Sequence, residues 1–325
     1  MAGAPPHLAA RRVERRAQVR RRRATALAGA GVLIGLIVAV VIVASGSGHS
    51  SRGAATAAQS SGSGGGTRPS TGRHGNGHGH ARSGASEPGR LTASQAAAVR
   101  HLAGFGLPVY CAGMRGNAVA FTFDDGPGPY THLALRKLAQ AHERATFFVV
   151  GRSIDAFPGY LPSELKLAAL GDHSYTHPVL SSLAPSVVSS ELSRTIRRIE
   201  SDGGPRPLLF RPPYGARNTM VDGIAKQLGL LQIVWNVDSA DSLGANYAGI
   251  IRNVEAGLHP GSIILMHENR GQTIRALTTL LPELHRRHLR SVTVPELLAS
   301  DPPSRAQLER GAGGCSVAGG SGSGG

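Results

Sequence analysis

The stretch AVAFTFDDGPGPY, residues Ala118 to Tyr130, decides how the rest of the chain is read. Its first six residues, Ala118–Phe123, are small, apolar or β-branched, the make-up of a buried strand. That strand is cut off by Asp124 and Asp125 and then by Gly-Pro-Gly-Pro. Two carboxylates therefore stand side by side at a strand end. Burying neighbouring like charges is unfavourable unless a metal or a cationic side chain compensates them, so the pair implies partners elsewhere in the chain. Taken alone, Asp-Gly-Pro is ordinary turn chemistry.

Outward from this stretch, strand-like runs alternate with helix-like ones. Ala145–Val150, Leu208–Phe210, Gln232–Val237, Ser262–Met266 and Ser291–Val294 read as strands. Amphipathic segments separate them at His132–Ala141, Ser186–Ile199 (with Ser186 and Ser189 as candidate caps), Met220–Leu228 and Thr273–Arg287. Repeated β-then-α units imply a parallel sheet, and the lack of a glycine-rich phosphate loop favours barrel-like closure. Adding the opening strand and a short one before His173 gives about seven strands, fewer than the eight of a complete barrel. The expected fold is α/β, a distorted, incomplete (β/α) barrel of about seven strands, preceded by one transmembrane helix and a disordered linker.

Those preceding segments are visible in the composition. The 325 residues carry a formal net charge of +15, with 44 glycines and aromatics at only 4%, so the folded part occupies less than the chain. Residues 1–23 form a basic segment holding Arg11, Arg12, Arg15, Arg16 and Arg20–Arg23 against Glu14. Ala24–Ala44 is an uncharged apolar run, about long enough for one helix to cross a ~30 Å hydrocarbon layer. With arginines before it and none after it until Arg52, the orientation rule puts the N-terminus in the cytoplasm and the rest outside. The expected location is thus the cell membrane, single-pass, with the folded domain extracellular; secretion after cleavage near Ala44 is the alternative. Residues 45–95, rich in Gly, Ser and His, read as a disordered tether with an r.m.s. reach of roughly 35–45 Å. Within it His74, His78 and His80 could hold a metal weakly, although a solvated linker explains them as well. The folded domain is placed at 96–310, with a flexible Gly/Ser tail at 311–325. That domain is close to neutral, which excludes the basic face a nucleic-acid binder needs, and a monomer is expected. The two cysteines, Cys111 and Cys315, bracket it. Outside the cell a disulfide between them would be worth about 4–5 kcal/mol in the chain-entropy model, two free thiols being the alternative.

The unusual polar residues fall where chemistry gathers in such a fold. Asp124 and Asp125, Arg211, Asp238 and Asp241, and His267 each follow a strand-like run, and the carboxyl ends of barrel strands share one face. His173 and His177, in GDHSYTHPVL, place two imidazoles on one side of a turn. With a carboxylate such as Asp125 they make a three-ligand metal site with open positions.

At this point the chain resembles the polysaccharide deacetylases, the NodB-homology domain of carbohydrate esterase family 4, over about Arg115–Ser300. Five motifs stand in the family's order: Thr122–Gly126, His173–His177, Arg211–Gly215, Asp238–Asp241 and Leu265–His267. The resemblance implies Asp124 as general base, Asp125, His173 and His177 as metal ligands, and Arg211 orienting the base. It further implies a Tyr214 backbone N–H on the oxyanion, and His267 as general acid supported by Asp241. It implies one divalent metal ion, zinc being expected and cobalt or a similar ion the alternative. Two departures stand out. Ser242 occupies the place where the fourth motif usually has Trp, and Asp172 stands where Asn is frequent, as a carboxylate beside the first ligand. The expected activity is removal of N-acetyl groups from an extracellular acetylated glycan, most readily peptidoglycan amino sugars. The alternatives are a chitooligosaccharide deacetylase, an acetylxylan esterase, or a catalytically silent glycan-binding module.

Overall fold

In the computed structural model, which describes residues 89–315, β1 (Ala118–Gly126) lies inside a parallel sheet. It is joined by β2 (Ala145–Val149), β3 (Ala168–Asp172), β4 (Leu209–Phe210), β5 (Leu231–Gln232), β6 (Val237–Asp238) and β7 (Ile263–His267) in the spatial order β5-β4-β3-β2-β1-β7-β6. A short β8 (Arg290–Ser291) pairs with the first residues of β1. Every strand-to-strand pairing is parallel, so the sheet is a curled, incomplete barrel of seven strands in one path, as the alternation of runs implied.

The period-2 rule sorts the residues of β1. Val119, Phe121 and Phe123 pack outward under the helices α2 (Thr131–Gln140) and α8 (Gly271–Arg286), together with Leu135, Leu138, Leu277 and Leu281. Ala118 and Ala120 face the other way, into a second apolar cluster. Two helices supply its floor, α1 (Ala93–Gly104) through Val99 and Leu102 and α9 (Val294–Ser300) through Leu297 and Leu298. A third cluster, on α5 (Pro185–Ser201) and α6 (Thr219–Gln227), covers Phe210 of β4. The remaining helices are α3 (Gly151–Ala156), α4 (Leu161–Glu164), α7 (Tyr247–Gly257) and α10 (Arg305–Glu309).

Four expectations need correction. The run Gln232–Val237 is not one strand: β5 ends at Gln232 and β6 begins at Val237, on opposite margins of the sheet, because the curvature of the barrel carries the chain across the gap. Ser291–Val294 is strand only at Ser291, since Thr293 and Glu296 form a capping box and α9 begins at Val294 with Pro295 in its first turn. Ser186 and Ser189 lie inside α5, which starts on Pro185 with no side-chain cap. The domain also reaches further at both ends than expected. Thr92 and Gln95 form a capping box that starts α1 at Ala93, inside the expected linker. At the other end a 3-10 turn at Gly311–Cys315 occupies the start of the expected tail.

Cys111 and Cys315 are disulfide-bonded, with Cα atoms 5.8 Å apart, and Cys111 pairs with Ser262 just before β7. The bond thus lies at the amino ends of the strands, opposite the carboxylates. Among the described residues no helix is long and apolar enough to cross a membrane. The basic segment, the run Ala24–Ala44, the linker up to residue 88 and the tail from residue 316 lie outside the described residues.

Candidate active site

The strand register explains how two adjacent aspartates can serve one cleft. Asp124 stands opposite Phe148 on β2 and His267 on β7, but the next residue of β1 paired with β2 is Gly126, opposite Val149. Asp125 is thus an extra, bulged residue with φ 74°. In an unbroken strand it would face away from Asp124; the bulge turns it into the same cleft, where Asn269 Nδ2 donates to its Oδ2 at 3.2 Å.

Asp124 is tied to a fully buried arginine. One Nη of Arg211 donates to Asp124 Oδ1 and to Thr122 Oγ1, both at 2.7 Å, while Nε and the other Nη reach the carbonyls of Ile233 and Val234. The guanidinium also lies over the Phe148 ring, 4.1 Å from its centroid. Burial pushes the Asp124 pKa up and the Arg211 charge opposes that rise.

The histidine loop follows β3. His173 Nδ1 is 2.7 Å from the Arg211 carbonyl oxygen, which can only accept, so Nδ1 carries the proton and Nε2 offers its lone pair to the cleft. That Nε2 is 3.8 Å from Asp125 Oδ1, and His177 Nε2 is 3.2 Å from the same oxygen. Burial first, and then the neighbouring His177, hold the His173 pKa at about 3, so its ring is neutral as a metal ligand must be. Glu191 of α5 clamps the loop, accepting from the Tyr175 and Thr176 N–H groups and the Thr176 hydroxyl. Asp172 accepts from the Ser174 N–H at 2.7 Å; it acts on the loop backbone, and burial raises its pKa well above the usual carboxylate range.

On the other side Asp241 gathers His267 and Thr273. Its Oδ1 lies 2.7 Å from His267 Nδ1, and its Oδ2 accepts from the His267 N–H at 2.8 Å and the Thr273 hydroxyl at 2.6 Å. Burial opposes ionisation of Asp241, yet the bonds and charge from His267 and the Thr273 hydroxyl hold its pKa below the usual range. For His267 burial acts downward, but the Asp241 bond and charge, with Asp124 and Asp125 beyond, raise it to about 9.

Asp124, Asp125, His173, His177 and His267 line a cleft of about 520 Å³. Trp235, Leu265 and Leu243 give it apolar surface, and Leu243, 60% exposed, stands beside Ser242, whose N–H donates to Asp241. Asp238 also lines it, its carboxylate accepting from the Ala240 N–H. Tyr214 has φ 61°, its ring packs edge-on to His177, and no acceptor among the described residues takes its N–H. Asp125, Ser174, His177, Tyr214 and Ala240 all have left-handed backbones, five of the eight non-glycine residues with positive φ among the described residues. Such positions cost of order 1–3 kcal/mol each and collect where a site needs them.

Of the residues singled out in the sequence, the structure brings together Asp124, Asp125, Asp172, His173, His177, Arg211, Tyr214, Asp238, Asp241, Ser242 and His267; Cys111 and Cys315 lie below, and His74, His78 and His80 lie outside the described residues. The structure adds Glu191, Asn269, Thr273 and Glu268. Asn269 and Glu268 follow His267 at a strand end and could have been found by the rule that found His267; Glu191 shows as a charge on the apolar face of Val188 and Leu192. Glu268 is fully buried, bonded to the Thr131 hydroxyl, with its N–H on the Asp124 carbonyl and one oxygen unpartnered; burial raises its pKa well above the usual range.

The chain is similar to known proteins. The sequence profile described as polysaccharide deacetylase matches residues 112–233. The chain is 38% identical over 151 residues to a bifunctional xylanase/xylan deacetylase of Cellvibrio japonicus, a match covering 46% of this chain and 23% of that protein. It is 34% identical over 187 residues to a peptidoglycan-N-acetylglucosamine deacetylase of Bacillus cereus, covering 55% of this chain and 87% of that one. The chain thus spans about a quarter of the first relative and most of the second. Among solved structures it resembles a family 4 carbohydrate esterase from Streptomyces lividans in complex with acetate, at 34% identity and a TM-score of 0.54, over 56% of this chain and 95% of that one. A parallel half-barrel with paired aspartates, a histidine loop and an Asp–His pair at its carboxyl end defines the class. The chain belongs to the polysaccharide deacetylase family, carbohydrate esterase family 4.

Proposed function

We propose that this chain is a metal-dependent deacetylase that removes N-acetyl groups from cell-wall glycan, with peptidoglycan amino sugars as its substrate class. The observation that carries the reading is the register that sets Asp124 directly opposite His267, with Asp125, His173 and His177 beside them. The ligand atoms of those three lie within 4.8 Å of one another. Ligands at 2.0–2.1 Å from a tetrahedral zinc stand roughly 3.3 Å apart, close to the 3.2 Å between His177 and Asp125, and two imidazoles with one carboxylate suit that ion. A divalent cation held there would supply Lewis-acid polarisation of the acetyl carbonyl.

The chain's own residues supply the rest. Asp124, which Arg211 aims and whose proton affinity burial raises, takes a proton from the attacking water. As the water oxygen adds to the carbonyl carbon, negative charge grows on the acetyl oxygen, and the free Tyr214 N–H is placed to donate to it. His267, protonated at neutral pH because Asp241 holds it so, gives its proton to the amine nitrogen as the carbon–nitrogen bond breaks. Acetate and a free amino sugar result.

The run Ala24–Ala44 behind its arginines supports a single-pass anchor with the domain facing the wall, secretion after cleavage near Ala44 being the alternative. The test is acetate release by the purified full chain from peptidoglycan, chitin oligomers and acetylated xylan. Asp125→Ala or a chelator is expected to lower the rate roughly 100-fold or more, with zinc restoring the chelated enzyme. Intact, metal-bound protein that releases acetate from none of the three would refute the reading in favour of a silent binding module.

A further inference from the structure

Among the described residues, nearly every charge of the cleft has a partner. Asp124 faces Arg211, Asp241 faces His267, Asp125 faces two imidazoles, and Asp238 holds the Ala240 N–H. Arg270, which also lines the cleft, is exposed, and among the described residues its guanidinium has neither an ion pair nor a hydrogen bond. The arginines of α8 differ: Arg275 stacks over Tyr247, and Arg286 pairs with Glu283. The position of Arg270 is nonetheless fixed, because it is the last residue before α8 and its N–H donates to the His267 carbonyl.

We propose that Arg270 binds a carboxylate carried by the substrate beside the reacting group, so that the enzyme favours N-acetylmuramic acid that carries no stem peptide over neutral amino sugars. This rests on the deacetylase reading. A guanidinium left without a counter-charge at the edge of a catalytic cleft gains most from an anion that arrives with the substrate, and its planar fork suits a carboxylate. In muramic acid the lactyl ether sits on the carbon next to the one bearing the acetamido group. Where no stem peptide caps it as an amide, its carboxylate enters the cleft together with that acetamido group, which a charge elsewhere on the glycan need not do. Ser242, a small residue on the cleft lining, leaves room for such an ether.

The experiment compares kcat/KM of the full chain on a peptide-free oligosaccharide of alternating N-acetylglucosamine and N-acetylmuramic acid with that on a chitooligosaccharide of equal length. Mass spectrometry locates the freed amine. The parent is expected to favour the muramic acid residue, and Arg270→Gln to lower the anionic-to-neutral ratio about five- to tenfold, the size of a partly exposed charge-assisted contact. Arg270→Glu lowers it further and Arg270→Lys keeps part of it. Methyl esterification of the lactyl group removes the preference in the parent. A parent with no preference for muramic acid, a ratio that Arg270→Gln and Arg270→Glu leave unchanged, or a preference that appears only when stem peptides are attached, each overturns this inference alone. A parent that releases acetate from neither substrate overturns the deacetylase reading with it.

Discussion

Asp241→Asn tests the assignment of His267 as the proton donor. The substitution keeps the side-chain shape but removes the charge 2.7 Å from His267 Nδ1. His267 is raised from 6.5 to about 9 against the pull of its own burial, and the Asp241 bond and charge are the main cause of the rise. Without them its pKa returns to about 6.5 or below. The alkaline limb of the kcat/KM profile reports deprotonation of the general acid in the free enzyme, so it should fall by roughly 2 pH units or more. Near pH 8 about nine-tenths of the parent's His267 is protonated against about 3% in the variant, a loss of about 30-fold, while near pH 6 the two differ by less than about twofold. Stability carries the same sign. A raised histidine stabilises the fold fully below 6.5 and loses that contribution as the pH climbs through about 9, roughly 3 kcal/mol in the parent and little in the variant. Acetate release across the pH range, with urea unfolding at both ends, reads both effects. An alkaline limb that stays in place while the rate drops equally at every pH would refute the assignment.

Gly126→Ala should be poorly tolerated, because its Cβ would fall 1.4 Å from a carboxylate oxygen of the fully buried Glu268. A loss of about 1–3 kcal/mol in urea unfolding is expected, and shortening the obstacle in Gly126→Ala/Glu268→Ala should recover part of it; a double variant less stable than the sum of the singles would contradict the packing argument. Replacing both Cys111 and Cys315 by Ser releases a link across 204 residues, worth about 5 kcal/mol in the loop-entropy account, so the melting temperature should fall while the rate at low temperature persists. An unchanged melting temperature would contradict it.

The strand-end residues were legible because their chemistry is local: Phe121 and Phe123 mark a buried strand, and residues just past the ends of such strands share one face. The bulge at Asp125 was not, since register belongs to two strands and β1 alone carries no sign that Gly126, not Asp125, meets Val149. Gln232–Val237 misled for a related reason: it contains neither Gly nor Pro, and its division is imposed by the curvature of the sheet. The missed α7 had a readable cap in Asn246, whose side chain accepts from the Gly249 N–H, whereas the Glu191 clamp exists only once α5 docks under the histidine loop.

The crossing between β5 and β6 also limits how far the mouth of the site can gape. Residues 233–236 carry the chain from one margin of the sheet to the other, and the five steps from Gln232 to Val237 span at most about 18 Å when drawn taut. This hoop carries Trp235 on the cleft lining, and the carbonyls of Ile233 and Val234 in it are fastened to Arg211. Spreading the barrel would pull on the very guanidinium that aims Asp124. A glycan bound as proposed would therefore lie across this hoop, and adjustment to its shape would fall to the loops above it.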